Sequence, residues 1–458
     1  MPTALTPTTA AFSVLAVVVV VHVGLAVVRR PQRGLLLLAA LLPFDGLLQV
    51  VPGGEAVGPW KEVLLVGTLL ACLVAPAPAR RQEPVETPPW LLPVVAFTVL
   101  GAASALVVGG VVGLWGLKIG YFYVLVPVVL WLCPFDARDR DRLVSVLMAT
   151  GVATALFGLV QQVLGAERLA AAGWEYNTAI RFSGGLLRSF STFTQPFSFG
   201  FFLTLVLLVC LPVAMADHRR TRNLAFLVAS PVLVVGMASS VVRGAALALV
   251  VGLVVLMVWR FRGLFHVGAV ASLGLLLVPA SAFTAYLSSS SLGERATGWS
   301  VILDRVTSAP LGNGVGRTGA AGEKALELGA PLSEVITLQG DQLYLPDNQY
   351  VKTALELGPL GLWLLVLVGV TVVAHGVSVA RRTDGDDRAL AQGIAASVVG
   401  AAAASTVSTY LEIFPLDFFF WLLVGVLTCT NVASRSTPSP SVPEAVGSRP
   451  TSASSSVR

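Results

Sequence analysis

Charge is what this chain lacks most. Asp, Glu, Lys and Arg make up 12% of its 458 residues, about half the share of a soluble domain, and a water-soluble fold is thereby excluded. Lysine is scarcer still, with only Lys61, Lys118, Lys324 and Lys352 beside a much larger number of arginines. Cysteine is confined to Cys72, Cys133, Cys210 and Cys429, which lie far apart in apolar stretches without CxxC spacing. That pattern argues for core fillers and against a disulfide framework or a thiolate metal site. The four histidines, His22, His218, His266 and His375, fall within apolar segments or at their ends. There is no Walker loop, GxSxG or HExxH motif, so P-loop, serine-hydrolase and zincin chemistry have no foothold. Nucleic acid is not an expected partner.

What is abundant is apolar length. Hydrophobic residues reach 55% and the mean hydropathy is +0.81, and uninterrupted apolar stretches of about 18 residues or more recur, each able to cross a hydrocarbon core about 30 Å thick as a helix. Runs such as Val14 to Val21 and Leu247 to Val258 do not alternate, which excludes a β-barrel. The fold class expected is an all-α polytopic membrane protein. Its predicted spans are 11–28, 34–51, 62–78, 90–113, 117–134, 143–164, 196–216, 224–240, 243–259, 264–287, 350–379, 389–410 and 413–431. Pro43 and Asp45 interrupt the second, and the pair meeting at Ser239 to Gly244 is closely abutted, so the expected number is 12–13.

The connections after odd-numbered spans collect Arg29, Arg30, Arg33, Arg80, Arg81, Arg138, Arg140, Arg142, Arg219, Arg220, Arg222, Arg260, Arg262, Arg381, Arg382 and Arg388. Apart from the 288–349 segment, the other side offers Lys61, Lys118, Arg168, Arg181, Arg188 and Arg243. The positive-inside rule then predicts a multi-pass protein of the inner (plasma) membrane with its N-terminus outside and its C-terminus in the cytoplasm. No basic n-region or small-residue cleavage site precedes the first apolar run, which reads as a retained span. Residues 1–432 form the expected transmembrane domain. The Ser/Pro/Thr-rich stretch 433–458 is expected to be a disordered cytoplasmic tail.

Two external segments, 165–195 and 288–349, are longer than connectors need to be. In the second, Ser291 and Glu294 resemble a capping box. Trp299, Ile302, Leu303 and Val306 then recur at the spacing of one apolar helix face, closed by Pro310 and Gly312. Such a helix packs over the bundle or lies in the interface. A functional reading makes it the roof of a site.

Arginines beside carboxylates are the remaining candidates for chemistry. Arg188 opens the run Arg188-Ser-Phe-Ser-Thr-Phe-Thr-Gln-Pro196, and Arg243 stands at a tight turn into a span. Either snorkels to water or faces a polar partner. Arg295 sits four residues ahead of Trp299, with Glu294 as a potential partner. Asp347 is placed to cap the helix that follows, and Asn348, Lys352 and Glu356 share one of its faces. A cap and a Lys352/Glu356 ion pair would account for these residues. So would a polar face turned toward a substrate.

Four segments in order resemble the O-antigen ligase / Wzy-type polymerase superfamily. The Arg188 run is similar to its R..GTF.NPN motif, and Ser240 to Gly244 to its S-R-G segment, spread by two valines. Glu294-Arg295 to Trp299, followed by Pro310-Leu-Gly-Asn-Gly-Val-Gly316, resembles its R...W helix and P-L-hG-x-G-h-G. Asp347-Asn-Gln-Tyr350 to Glu356-Leu-Gly358 resembles HNxxLxxxxExG. The likeness covers roughly residues 140–431. It implies a GT-C-like membrane glycosyltransferase that needs no metal, nucleotide sugar or other cofactor. Its implied partners are an undecaprenyl-diphosphate-linked glycan donor, a glycan acceptor, membrane lipids and a chain-length regulator. Carried over, Arg243 and Arg295 engage the donor diphosphate, and Asp347 stands where ligases have histidine, as the general base. Arg188, Asn348, Arg317 and Glu356 are the substrate-binding candidates. The departure at Asp347 leans toward polymerisation of repeat units. Ligation to a lipid or cell-envelope acceptor, a lipid-linked glycan transporter and an inactive relative remain as alternatives.

Overall fold

The computed structural model describes residues 18, 21–75, 87–259, 305–337 and 342–430. In chain order they form α1 (Gln32–Leu41), a 3-10 helix (Leu42–Gln49), α2 (Trp60–Val74), α3 (Leu91–Val108), α4 (Gly110–Tyr121), α5 (Leu125–Leu132) and α6 (Ala137–Ala171). A two-stranded antiparallel hairpin of β1 (Arg181–Ser183) and β2 (Leu186–Arg188) follows. The chain continues through α7 (Pro196–Ala216), α8 (Thr221–Ser239), α9 (Arg243–Trp259), α10 (Gly319–Glu327), α11 (Gln349–Arg382), α12 (Gly385–Ala404) and α13 (Leu416–Val426). Among the described residues six helical stretches are long and apolar enough to cross a membrane: α3, Gly110–Leu132, α6, α7, α8 and α11. The shorter α9 and Leu416–Cys429 are also apolar. The protein is therefore a helical membrane protein. The expected span 264–287, the loop helix around Arg295 and the tail 433–458 lie outside the described residues.

Helix bounds follow local chemistry. Pro196 opens α7 at a position where a missing N–H costs nothing. Asp136 caps α6, its carboxylate accepting from the Asp139 amide at 2.8 Å. Pro43 turns the second expected span into a 3-10 helix after Leu41. One boundary differs from the sequence reading. The turn between the fourth and fifth expected spans falls at Gly109 and Gly110, both with left-handed backbone (φ 65° and 56°), and not near Gly113 to Gly116. Lys118, read as a residue of an external connection, thus lies within α4, where Glu62 of α2 neutralises it at 2.9 Å.

The bundle is organised around α7, which is buried on nearly every side, as expected of a helix that is apolar all round. Against it packs α12, the long helix richest in Ala and Gly. Small residues let backbones approach: a Cβ at Gly393 would come within 2.8 Å of the Leu208 and Val209 carbonyl oxygens, and one at Gly400 within 2.7 Å of Ala248 O. Large apolar side chains such as Leu92, Val107, Val163 and Val258 point outward, a surface suited to lipid and not to water.

Charge is sorted to the ends. At one end the arginine-rich connections meet. Arg30 pairs with Asp136 and Asp139 at 2.9 and 2.7 Å, Arg220 reaches Asp141 and Asp386 at 3.1 Å each, and Arg222 pairs with Asp141 at 2.9 Å. Arg140 is buried there, donating from Nε and Nη2 to Asp387 at 2.8 and 2.7 Å and from Nη1 to the carbonyls of Cys429 and Phe135. This fork closes the start of α6 onto the start of α12 and the end of the last helix. Replacing Arg140 by Ala orphans two buried carbonyls and a carboxylate, and should cost about 3 kcal/mol. Thermal unfolding in detergent should show that loss for Arg140→Ala, and a smaller one for Asp387→Asn.

Candidate functional site

At the opposite end the Arg188 run enters the bundle as irregular, turn-containing chain. Non-helical backbone in such a place needs internal partners, and α6 supplies them. Gln161 Oε1 accepts from the amides of Phe190 and Ser191 at 3.1 and 2.6 Å, while its Nε2 donates to Ser191 O at 2.8 Å. Ser189 and Ser191 donate their hydroxyls to the carbonyls of Gly158 and Thr154, and Thr192 donates to Pro43 O. Ser189, Ser191 and Thr192 are thus spent on holding the run in place. Beyond it, Leu169, Trp174, Ala179, Ile180 and Phe190 make a small core of their own beneath the hairpin.

The hairpin register sets Arg181 opposite Arg188. Ser189 N donates to Ser239 O at 3.0 Å and Arg188 Nε to Ser240 O at 3.1 Å, tying the hairpin to the turn before α9. That turn is tight enough to hold Val241 at φ 53°. The Arg188 guanidinium lies 4.8 Å above the Phe197 ring. Burial, joined by the charges of Arg181 and Arg243, pushes its pKa down to about 10, so it is still cationic at neutral pH. Among the described residues neither Arg181, which donates to Thr178 O, nor Arg188 is paired with a carboxylate. Arg243 itself is exposed.

The start of α11 lies beside the start of α9. Asn348 Nδ2 donates to Thr406 O at 3.0 Å, and a Cβ on Gly244 would sit 3.4 Å from Val407. One turn between α12 and α13 therefore separates Arg243 from Asp347. The helix cap is Asn348, whose Oδ1 accepts from the amides of Tyr350 and Val351 at 2.8 and 3.1 Å. This corrects the expectation that Asp347 caps it. Asp347 stands one residue earlier and is exposed, leaving its side chain outside the cap. Below this point an apolar groove of about 330 Å³ runs between α11 and α12, from Gln349, Tyr350 and Ser405 down to Val373, Val398 and Trp421.

Glu356 is differently placed from its expected role. It does share a face with Lys352, but that face turns into the protein. Its Oε1 accepts from Gly316 N, Thr318 N and Thr318 Oγ1 at 3.2, 3.2 and 2.8 Å, and its Oε2 receives Lys352 Nζ at 2.5 Å. With both oxygens engaged, Glu356 anchors the glycine-rich segment. That segment in turn caps a break in α11, where Gly358 leaves the helical conformation (φ 69°) and Pro359 has no N–H. The freed carbonyl of Leu355 accepts from Asn313 N and Nδ2 at 2.7 and 3.0 Å, and that of Glu356 from Gly314 N at 3.0 Å. Gly312, Gly314 and Gly316 all take left-handed backbone, and a Cβ on Gly312 would collide with Glu356 O. Arg317 lies in the same segment with its Nε buried and without a hydrogen-bond partner.

Of the sequence candidates, Arg188 and Arg243 are neighbours, Asp347 and Asn348 lie across one turn from Arg243, and Arg317 and Glu356 belong to the adjoining anchored loop. Arg295 lies outside the described residues. Sequence reasoning missed Gln161, Arg181 and Glu412. Gln161 and Glu412 are each a polar residue in or between apolar runs, a visible signal, and Arg181 was legible as a basic residue of a long external segment. No group of three or more His, Cys, Asp or Glu among the described residues could hold a metal. No protein-family model matches the sequence, and no curated protein matches it either. Asn348→Ala should lower stability by about 1 kcal/mol through the lost cap, whereas Asp347→Ala, which leaves that cap in place, should cost less than Asn348→Ala. Paired denaturation curves in the same detergent measure both.

Proposed function

We propose that this protein is a GT-C-like glycosyltransferase of the O-antigen ligase / polymerase type, joining undecaprenyl-diphosphate-linked oligosaccharide repeat units into a surface polysaccharide outside the inner membrane. The observation that carries this reading is the convergence of Arg188 and Arg243 next to Arg181, with no carboxylate of the described residues on Arg181 or Arg188, across one turn from an exposed Asp347. Clustered guanidinium groups call for an anion, and their forks suit phosphate oxygens. The apolar groove that starts at Tyr350 is a suitable seat for the isoprenoid tail of the same donor. In this topology the 288–349 segment and the N-terminus are external, and the arginine-paired end is cytoplasmic.

The reaction follows from those parts. An acceptor hydroxyl attacks the anomeric carbon of the donor sugar and the bond to the diphosphate oxygen breaks. The proton of the hydroxyl passes to Asp347, and the arginines stabilise the negative charge that gathers on the departing undecaprenyl diphosphate. Ligation would use the same donor and site with a lipid acceptor. The polymerase reading rests on a carboxylate standing where the ligases carry histidine. A transporter of lipid-linked glycans calls for charge along a passage, whereas α7 is apolar along its whole length and the ion pairs between described residues gather toward the two ends.

Arg188→Ala and Arg243→Ala should each lower turnover of lipid-linked repeat units on the order of 100-fold while still folding, with Arg188→Ala losing on the order of 1 kcal/mol of stability through its bond to Ser240 O. Asp347→Asn, which keeps shape and removes the base, should lose comparable activity. Full activity in both arginine variants, measured by chain length on gels, would contradict the assignment.

A further inference from the structure

A second charged cluster lies behind the upper end of the groove and takes no part in the proposed transfer. Lys352 on α11 contacts two carboxylates, Glu356 one helical turn away and Glu412 at 3.1 Å in the connection between α12 and α13. All three side chains are more than nine-tenths buried. Glu356 has donors on both oxygens. Glu412 does not: its Oε1 faces Lys352, while its Oε2 is buried with no well-aligned hydrogen bond among the described residues, and the Ala320 amide is the backbone donor that approaches the carboxylate. That oxygen lies against the first residue of α10, where a Cβ on Gly319 would come within 2.7 Å of it. Beside it is a cavity of about 30 Å³ bounded by Gly116, Tyr121, Gln349, Lys352 and both carboxylates, polar enough and large enough for one water.

One ammonium cannot balance two carboxylates. The surplus negative charge is buried, and a buried carboxylate short of donors is relieved by taking a proton. We propose that the Lys352–Glu356–Glu412 triad is a proton-binding site, with the proton on Glu412 Oε2, and that losing this proton loosens the bundle's hold on residues 310–327. The same cluster makes the attachment: Glu356 grips Gly316 and Thr318, and Glu412 abuts the start of α10. The proposal is independent of the transfer reading. It stands or falls with the cluster alone.

The charged groups that face Glu412 are Lys352 and Glu356 of α11, and the α10 side presents the backbone of Ala320. Tyr121 of α4 is the other titratable group on the cavity wall. On Glu412's own turn, Tyr410 packs against Phe201. Burial raises the Glu412 carboxyl from 4.5 to about 7, with Lys352 and the Ala320 amide opposing and Glu356 adding to the rise. The sign follows. Between pH 4.5 and about 7 the attached state keeps a proton that the detached state has released, so attachment weakens as pH rises through that window and levels off above it.

Hydrogen–deuterium exchange of the full chain in nanodiscs, corrected for intrinsic rates, reads this directly. Linkage between those two pKa values gives about tenfold less protection of the 310–327 amides at pH 8 than at pH 6. Glu412→Gln, permanently neutral, should show no such ratio. Equal protection of the wild type at both pH values, or an undiminished ratio in Glu412→Gln, would overturn the proposal. If Glu412→Gln does not fold, infrared difference spectra of the wild type decide: the carbonyl stretch of a protonated carboxylic acid must be present at pH 6 and lost by pH 8, and its absence refutes the site.

Discussion

The break in α11 is the constraint on which the rest of this end of the protein depends. A helix interrupted at Gly358-Pro359 leaves the Leu355 and Glu356 carbonyls without their intrahelical donors, in a position where Leu355 and Leu357 are almost wholly buried. Unmade backbone bonds cost most where water is excluded. The Asn313–Gly314 amides make them instead, which forces residues 310–316 into an alternation of left-handed glycines pressed between α11 and α4. Once that segment is fixed, Thr318 and Gly316 reach Glu356, Lys352 is drawn inward to its carboxylates, and the first turns of α11 present Asp347 and Asn348 outward beside the start of α9. The Glu356 anchor and the glycine-rich loop beside the candidate site are a consequence of how one helix is allowed to break.

The two ends of the bundle treat arginine in opposite ways. At one, Arg30, Arg140, Arg220 and Arg222 are each met by carboxylates from other connections, so the charges stitch loops together and leave little to offer a ligand. At the other, Arg188 is held by a carbonyl and an aromatic face with two like charges in its neighbourhood. Like charges brought together repel, and folding tolerates this arrangement only because the hairpin and the Ser239–Arg243 turn are fixed by backbone bonds. That arrangement is what the proposal of an anionic donor rests on.

Much of the membrane-spanning frame could be read from the sequence, because long apolar runs carry their own evidence: α7 and α9 begin and end where the sequence placed them. Finer features were lost where two local solutions compete. Asp347 and Asn348 are both good caps, and only the geometry of the chain entering α11 selects the second. Gly109-Gly110 and Gly113 to Gly116 both suit a turn, and packing of Gly116 against Gly316 settles the choice. The glycine run 312–316 was legible as a motif, while its purpose depends on a carbonyl more than 40 residues away. Gln161 carries no such motif signal, since its partners lie in a segment about 30 residues on that sequence periodicity cannot pair with it.

The central claim is transfer from a lipid-linked diphosphate donor by the protein alone. The most direct measurement is reconstitution of purified protein in vesicles with undecaprenyl-diphosphate-linked repeat units, excess chelator and no sugar nucleotide. The account predicts lengthened lipid-linked glycan together with stoichiometric release of undecaprenyl diphosphate. A donor left unchanged under these conditions, and consumed only when a divalent ion or sugar nucleotide is added, would contradict it.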